Sequence, residues 1–315
     1  ILEEINMNKR KKILFALPNL IGGGAERVLV NIINQVDSKK YKIFLLLLNK
    51  QGPLHSCLTN EIHIIDLSIK RTRYSLFKVI KAINKINPNV VFSTTHRMNI
   101  IVLAASFLTK NKVKVIAREP NMPSLLINNK QLTSMKLKII SFLYKYAFKI
   151  IAQTDEMRED IISTYNLDNK DVITVYNPID YDFIDKSIDS GQDPFNHNYI
   201  NIVASGRIID QKAYDVLIKA FKIVIEKNPK FRLYLLGDDV IGLKQDLLEL
   251  VKNLKLESSI FFKGFIENPY SYYKYSDLFV LSSRWEGLPN TVLENLYLEK
   301  PIIVTNCINY LSDLI

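Results

Sequence analysis

The feature that most limits what this chain can become is its alternation of short apolar runs with amphipathic stretches. Apolar runs fall at 13–17, 41–48, 62–67, 90–93, 113–117 and 149–152, with helical patterns at 76–86, about 99–108 and 135–148 between them. A run of four to eight apolar residues suits a strand buried on both faces, and the 3.6-residue repeat gives each helix one face to lay over it. Strand and helix in succession predict a parallel sheet with helices on both sides. The succession restarts at 200–206. It continues with helices at 214–227 and 244–254, runs at 231–236 and 260–265, a short Tyr-rich helix and a last run at 278–281. At 315 residues the chain exceeds the usual size of one domain, so each succession is read as its own domain. The domains are placed at 7–176 and 200–315. Residues 177–199 are read as the linker, because Asn177-Pro178-Ile179-Asp180 and Ser190-Gly191-Gln192-Asp193-Pro194 interrupt the pattern.

Parallel sheets of this kind bind ligands beyond the carboxyl ends of their strands, so the residues there are the candidates. After the first run, Gly22-Gly23-Gly24 opens a helix, and glycines let backbone amides approach a ligand closely. The dinucleotide fingerprint fails, since Arg27 stands where glycine is required, and a Walker lysine is missing. Two further strand ends offer His96 and Glu119. In the second half, Ser205-Gly206 is followed by Arg207, and Lys212 comes five residues later at a helix entry. A planar fork and a mobile ammonium can together hold two phosphates.

The sharpest signal is Ser282-Ser283-Arg284-Trp285-Glu286-Gly287-Leu288-Pro289-Asn290-Thr291-Val292-Leu293-Glu294. An apolar run stops at two serines, and Pro289 suits the first helical turn because its missing N–H would be unpaired there. Glu286 then lies in the loop and Glu294 on the second turn, with an anion seat at the helix start between them. Two acids beside a phosphate seat suit a ligand with hydroxyls on both sides of a phosphate, which describes a sugar nucleotide.

Composition narrows the setting. Residues 1–180 carry 27 basic against 14 acidic side chains, while residues 181–315 carry 15 against 18. The basic half implies an anionic partner: a membrane surface, a phosphorylated substrate or a nucleic acid, the last ranked lowest because no recognition motif accompanies the charge. Cys57 and Cys307 lie far apart, so neither a disulfide framework nor a metal site is indicated. Asp180-Tyr181-Asp182 is read as turn chemistry. No apolar run approaches the ~20 residues that span a bilayer, and a cytoplasmic location, with peripheral attachment to the inner face of the plasma membrane, is expected. In the helical pattern at 130–149, apolar residues at 132, 135, 139, 142, 143 and 146 are read as packing on the sheet. Lys138, Lys145 and Lys149 lie on another face, free to meet an anionic membrane.

Taken together these residues resemble the retaining glycosyltransferases of family 4, with their two Rossmann-like domains (the GT-B fold). The resemblance rests on Gly22-Gly23-Gly24-Ala25-Glu26-Arg27, Asn177-Pro178-Ile179-Asp180, Ser205-Gly206-Arg207 with Lys212, Leu235-Leu236-Gly237-Asp238, Gly264-Phe265 and the Glu-x7-Glu pair Glu286 and Glu294. It implies two α/β domains facing across a cleft, and transfer of a sugar from a nucleotide diphosphate sugar, a UDP-sugar, to a glycan or lipid-linked acceptor in surface-polysaccharide assembly. It also implies metal independence and no cofactor beyond the donor itself. By the same resemblance Arg207 and Lys212 neutralise the pyrophosphate, Glu294 binds the ribose and Glu286 the donor sugar. Gly23, Gly24, Leu288, Asn290 and Thr291 line the phosphate seat, Gly264 and Phe265 hold the base, and His96 and Glu119 serve on the acceptor side. Many relatives have histidine where Glu119 stands, which leaves the acceptor-side residue open. Relatives also continue after Pro301 with two more helices, so the second domain is expected to be incomplete at its C-terminal end. A nucleotide-sugar-binding remnant and a GT-B-type epimerase remain as alternatives.

Overall fold

The computed structural model describes residues 10–58, 61–69, 74–128, 134–189 and 191–307. The chain divides into two compact units between Pro178 and Ile179.

In the first unit the order is β1 (Lys11–Leu17), α1 (Gly24–Gln35), β2 (Tyr41–Leu47), β3 (Ile62–Asp66), α2 (Leu76–Ile86), β4 (Val90–Thr94), α3 (His96–Phe107) and β5 (Lys114–Arg118). Next come α4 (Pro123–Asn128), α5 (Ser134–Tyr144), β6 (Lys149–Ala152), α6 (Asp155–Tyr165) and β7 (Val172–Thr174). Every pairing is parallel, in the order β3-β2-β1-β4-β5-β6-β7. Period-two alternation divides the strand residues between two cores. Leu14 and Ala16 of β1 join Val91, Val115 and Ile150 under α2, α3 and α5. Phe15 and Leu17 join Ile43, Leu45 and Phe92 under Leu29, Val30 and Ile33 of α1. Asn87 and Asn166, in the left-handed conformation that asparagine tolerates, end α2 and α6. Thr154 caps α6 by accepting from the Met157 amide at 3.1 Å, a bond worth about 1 kcal/mol.

The second unit runs α7 (Tyr181–Asp189), β8 (Ile200–Ser205), α8 (Tyr214–Lys227), β9 (Phe231–Leu236), α9 (Lys244–Asn253), β10 (Ile260–Gly264), α10 (Tyr270–Tyr275), β11 (Leu278–Leu281), α11 (Asn290–Tyr297) and β12 (Ile302–Val304). Its parallel sheet is ordered β10-β9-β8-β11-β12. Ile202 and Ala204 face Leu217, Ile218 and Phe221 of α8, while Val203 faces the layer of Tyr270, Tyr273 and Val292.

Several expectations shift. The helix expected from about 99 starts at His96, because Thr95 takes φ 74 and turns the strand directly into it. The helix expected over 135–148 ends at Tyr144, and residues 130–133 of the longer pattern lie outside the described residues. Much of the stretch read as linker is folded: Asn177 is buried in the first unit, and Ile184 of α7 is buried against the second sheet. The expected shortening of the second domain concerns residues beyond Cys307, outside the described ones. Finally, the apolar stripe of α5 points outward. Met135, Ile139 and Phe142 are exposed, as is Tyr146 in the turn that follows the helix, while Ile140, Leu143 and Tyr144, with Ala147 after the turn, are buried. Of the stripe expected to pack on the sheet, only Leu143 does so among the described residues.

Candidate functional site

In each sheet the strand order reverses direction at one place, between β1 and β4 in the first unit and between β8 and β11 in the second. Crevices for ligands open at such switch points, outside the carboxyl ends. The candidate residues are distributed around these two rims.

At the second switch point the loop between β11 and α11 meets the loop after β8. Glu286 is buried, and its Oε1 accepts from Lys212 Nζ at 2.6 Å and Ser283 Oγ at 2.6 Å, while Oε2 accepts from Gln211 Nε2 at 3.2 Å. Gln211 also donates to the Trp285 carbonyl at 2.9 Å and Ser282 Oγ to the Lys212 carbonyl at 2.8 Å, so the two loops are stitched through backbone and side chain. From outside, Arg284 grips Asp215 with two bonds of 2.9 and 2.8 Å. Lys212 reaches Glu286 across Gly206, where a Cβ would meet its Cε at 2.5 Å. The Tyr214 phenol donates to the Gly206 carbonyl at 2.9 Å. Burial, and next the Glu286 charge, push its pKa up and keep it a donor. Arg207 is exposed and carries no side-chain hydrogen bond or ion pair among the described residues.

Glu294, one turn and a half into the helix, is buried and accepts from Tyr270 Oη at 3.4 Å. Pro289 is the residue before α11 rather than its first, and Asn290 and Thr291 form the first turn. Thr291 Oγ1 is buried with no hydrogen-bond partner among the described residues. Leu288 is buried beside them. Gly264 and Phe265 lie at the carboxyl end of β10. The Phe265 amide donates to Asp238 Oδ1 at 3.1 Å and the Gly237 amide to the Gly264 carbonyl at 2.7 Å. The phenyl ring of Phe265 is exposed.

The first unit brings His96 and Glu119 together. Glu119, 1% exposed, accepts through Oε1 from Tyr144 Oη and from Asn99 Nδ2 at 3.3 Å, and His96 Nδ1 lies 3.5 Å from the same oxygen. Tyr165 Oη is 3.4 Å from that imidazole nitrogen, while His96 Nε2 is buried without a partner among the described residues. Burial, and next Glu119, push the Tyr144 and Tyr165 phenols up, so both remain hydrogen-bond donors. Beside them the buried Arg118 donates to Thr94 Oγ1 at 3.1 Å and Asn177 Oδ1 at 2.5 Å, and Asn177 donates to Gln153 Oε1 at 3.0 Å. Desolvation pulls the Arg118 guanidinium down to about 10, with Glu119 pulling the other way. Gly23 precedes α1 and Gly24 opens it, so the glycine loop sits at the β1 end of the same rim.

Sequence reasoning missed Gln211, Ser283 and Tyr270 in the second unit and Asn99, Tyr144, Tyr165 and Gln153 in the first. Gln211 precedes Lys212 and Ser283 precedes Glu286 by three, so both could have been drawn from local spacing. The tyrosines carry no such signal, being apolar-pattern residues whose hydroxyls matter only once the helices are placed.

Two doubly wound parallel sheets, each with polar loops gathered at its switch point, define the GT-B class of glycosyltransferase fold. The chain belongs to glycosyltransferase family 4: that family's model matches residues 22–183, and the model for glycosyl transferases group 1 matches residues 185–315. An uncharacterized glycosyltransferase of Methanocaldococcus jannaschii is 34% identical over 76% of this chain, which spans 60% of that relative's length. From Campylobacter jejuni, N-acetylgalactosamine-N,N'-diacetylbacillosaminyl-diphospho-undecaprenol 4-alpha-N-acetylgalactosaminyltransferase is 27% identical over 91% of this chain and 79% of its own. Among solved structures, Anabaena Alr3699/HepE in complex with UDP and glucose matches with a TM-score of 0.77 at 17% identity, covering 96% of this chain and 83% of that one. The lipopolysaccharide-biosynthesis glycosyltransferase WaaG matches with a TM-score of 0.72 at 14% identity, over 96% and 84%. These two likenesses establish the fold. Among the described residues no helix is long and apolar enough to cross a membrane.

Proposed function

We propose that the protein is a retaining glycosyltransferase that moves a sugar from a nucleotide diphosphate sugar, a UDP-sugar, to a glycan or lipid-linked acceptor in surface-polysaccharide assembly. The reading is carried by one observation: Glu286, buried and clasped by Lys212 at 2.6 Å, with buried Glu294 eight residues on, at the β8/β11 switch point. Its support is the family match, the Campylobacter relative whose name contains an undecaprenol-linked acceptor, and the solved neighbour that holds UDP and glucose.

In this reading the diphosphate sits against Arg207, Lys212 and the first turn of α11. An ammonium carries three N–H groups and Glu286 takes one, so Lys212 can hold phosphate oxygen and carboxylate together. As the bond between the sugar carbon and the phosphate oxygen breaks, negative charge grows on that oxygen, and both cations stabilise it more than they stabilise the ground state. The acceptor hydroxyl attacks the same face of the sugar. Its proton passes to the departing phosphate, so no protein base is required on that side and no metal or cofactor enters the scheme. Glu294 takes the ribose hydroxyls, Glu286 the sugar, and Gly264 with Phe265 the base. His96 and Glu119 orient the acceptor.

A thermal-shift screen of nucleotides and nucleotide sugars tests the donor assignment, because a ligand at about 100 times its Kd stabilises by about 2.7 kcal/mol. UDP and a UDP-sugar are expected to raise Tm, with transfer to an added acceptor sugar following for the matching donor. Lack of any shift with all nucleotide diphosphates would overturn the reading.

A further inference from the structure

Gln211 is bonded more heavily than a residue in a surface turn needs to be, yet one of its polar atoms carries no bond. It is the middle residue of the short turn Asp210–Lys212 that follows β8. Three successive carbonyls of that turn are held by the loop after β11. Asp210 accepts from Arg284 Nη1 at 2.6 Å, Gln211 from the Arg284 amide at 2.8 Å and Lys212 from Ser282 Oγ at 2.8 Å. The backbone that carries the Gln211 side chain is thus fixed before any ligand binds.

Its side-chain amide is fixed as well. Nε2 donates to the Trp285 carbonyl at 2.9 Å and to Glu286 Oε2 at 3.2 Å, which uses both N–H groups. A carbonyl and a carboxylate only accept, so the NH2 end of the amide must face them and the oxygen is turned away. That oxygen, on a half-buried side chain, has no hydrogen bond among the described residues. The Glu286 carboxylate is divided in the same sense. Oε1 is filled by Lys212 Nζ and Ser283 Oγ, each at 2.6 Å, while Oε2 holds only the longer Gln211 bond and keeps lone-pair capacity. Gln211 Oε1 and Glu286 Oε2 therefore stand as two neighbouring acceptors linked through one N–H.

An ionised phosphate oxygen brings no hydrogen to such a pair, whereas each hydroxyl brings one. We infer that Gln211 is a specificity-determining residue for the transferred sugar: its amide oxygen accepts from one ring hydroxyl while Glu286 Oε2 accepts from the hydroxyl on the neighbouring carbon. The inference rests on the proposed function, which supplies the sugar. It divides the rim by chemistry, with Lys212 and Arg207 taking the anionic diphosphate and the Gln211–Glu286 pair taking a neutral diol. A sugar that lacks or inverts either hydroxyl leaves an acceptor unpaired, and the pair selects against it.

The test is calorimetric titration of the wild type, Gln211→Met and Gln211→Asn with UDP and with a UDP-sugar. The sugar is the tightest binder among UDP-glucose, UDP-galactose, UDP-N-acetylglucosamine and UDP-N-acetylgalactosamine, used with its single-deoxy analogues at each free hydroxyl. The wild type is expected to lose about tenfold in affinity for the analogues deoxygenated at two neighbouring carbons. Gln211→Met keeps the length of the side chain without its acceptor. It is expected to bind UDP as the wild type does and the UDP-sugar about tenfold more weakly, and to lose nothing further with one of those two analogues. Gln211→Asn, whose amide is withdrawn by one carbon, should show the same split. Equal weakening of UDP and UDP-sugar would make Gln211 a support for the loop alone and would overturn the inference. So would variants that stay sensitive to every deoxy analogue, or a wild type indifferent to all of them, a result read without any variant. Absence of binding by UDP and by all four UDP-sugars to the wild type would overturn the donor reading itself, and this inference with it.

Discussion

Lys212 and Glu286 are 74 residues apart in sequence, yet Nζ and Oε1 lie 2.6 Å apart, with side chains only 16% and 10% exposed. The pair ties the loop after β8 to the loop after β11 and holds a cation and an anion in one small volume. A partly buried pair is expensive to break from one side, because the remaining charge keeps its desolvation cost and loses its partner.

Lys212→Met should therefore destabilise the fold by up to about 3 kcal/mol. Adding Glu286→Gln should restore much of that stability without restoring transfer. Urea unfolding of the single and double variants, set beside kcat, measures both. Loss of kcat on the order of 100-fold in the double variant is expected if Lys212 stabilises charge on the leaving diphosphate.

Glu294→Ala should weaken binding of UDP by about 1.5–3 kcal/mol, the worth of hydrogen bonds to a charged group. Tyr270→Phe removes the 3.4 Å bond from its hydroxyl to the carboxylate, and its effect should stay within about 1 kcal/mol. Calorimetric titration of UDP reads both.

Two glycines of the second rim should respond differently to alanine. At Gly237 (φ 143) a Cβ would lie 2.0 Å from the Gly206 carbonyl oxygen, so Gly237→Ala must move backbone and should cost about 1–3 kcal/mol in the urea midpoint. At Gly206 (φ 152) the backbone strains an alanine too, but the atoms its Cβ would meet belong to the flexible stem of Lys212. Gly206→Ala should displace that ammonium, so its larger effect is expected on UDP affinity.

On the acceptor side, Glu119→Gln preserves volume and an acceptor for Tyr144 while removing the charge beside His96. Transfer to acceptor should fall at least about tenfold, within the range assigned to positioned polar groups, with UDP affinity unchanged. Equal loss of both would place Glu119 outside the acceptor role.

Burial holds the phenols of Tyr144, Tyr165 and Tyr214 above their ordinary value of 10.0. In the pH range just above 10 the unfolded chain releases these protons while the native state keeps them. Stability fully present below pH 10 is then lost as pH rises, with at most about 1.4 kcal/mol per pH unit from each tyrosine. Tyr214→Phe should flatten the fall of Tm between pH 10 and 11 relative to the wild type. An unchanged slope would mean that Tyr214 ionises as readily in the native state.

The fold was legible because parallel strands are written as continuous apolar runs, and helices between them as periodic ones. Lys11–Leu17, Leu76–Ile86 and Tyr214–Lys227 read almost residue for residue. The direction of α5 was not. Along the helical pattern expected there, positions 135, 139, 142 and 146 are apolar, and so are 140, 143, 144 and 147, so periodicity offers two faces and cannot choose the buried one. In the second rim the motif spacing gave Glu286, Lys212 and Glu294 their neighbourhood. In the first, the bonds from Tyr144 and Tyr165 to Glu119 and His96 span 25 and 69 residues and leave no local pattern.

The loop between β11 and α11 is fastened twice, by Gln211 and Lys212 on its inner side and by Arg284 on Asp215 on its outer side. A segment held this way has little rotamer freedom left to lose on binding the diphosphate of the proposed function. Its shape is therefore insulated from changes in the other loops around the rim. Under the proposed function, new preferences for the transferred sugar could arise by substitution in those loops while the diphosphate contacts stay constant, which would make donor choice an evolvable trait laid over a fixed one.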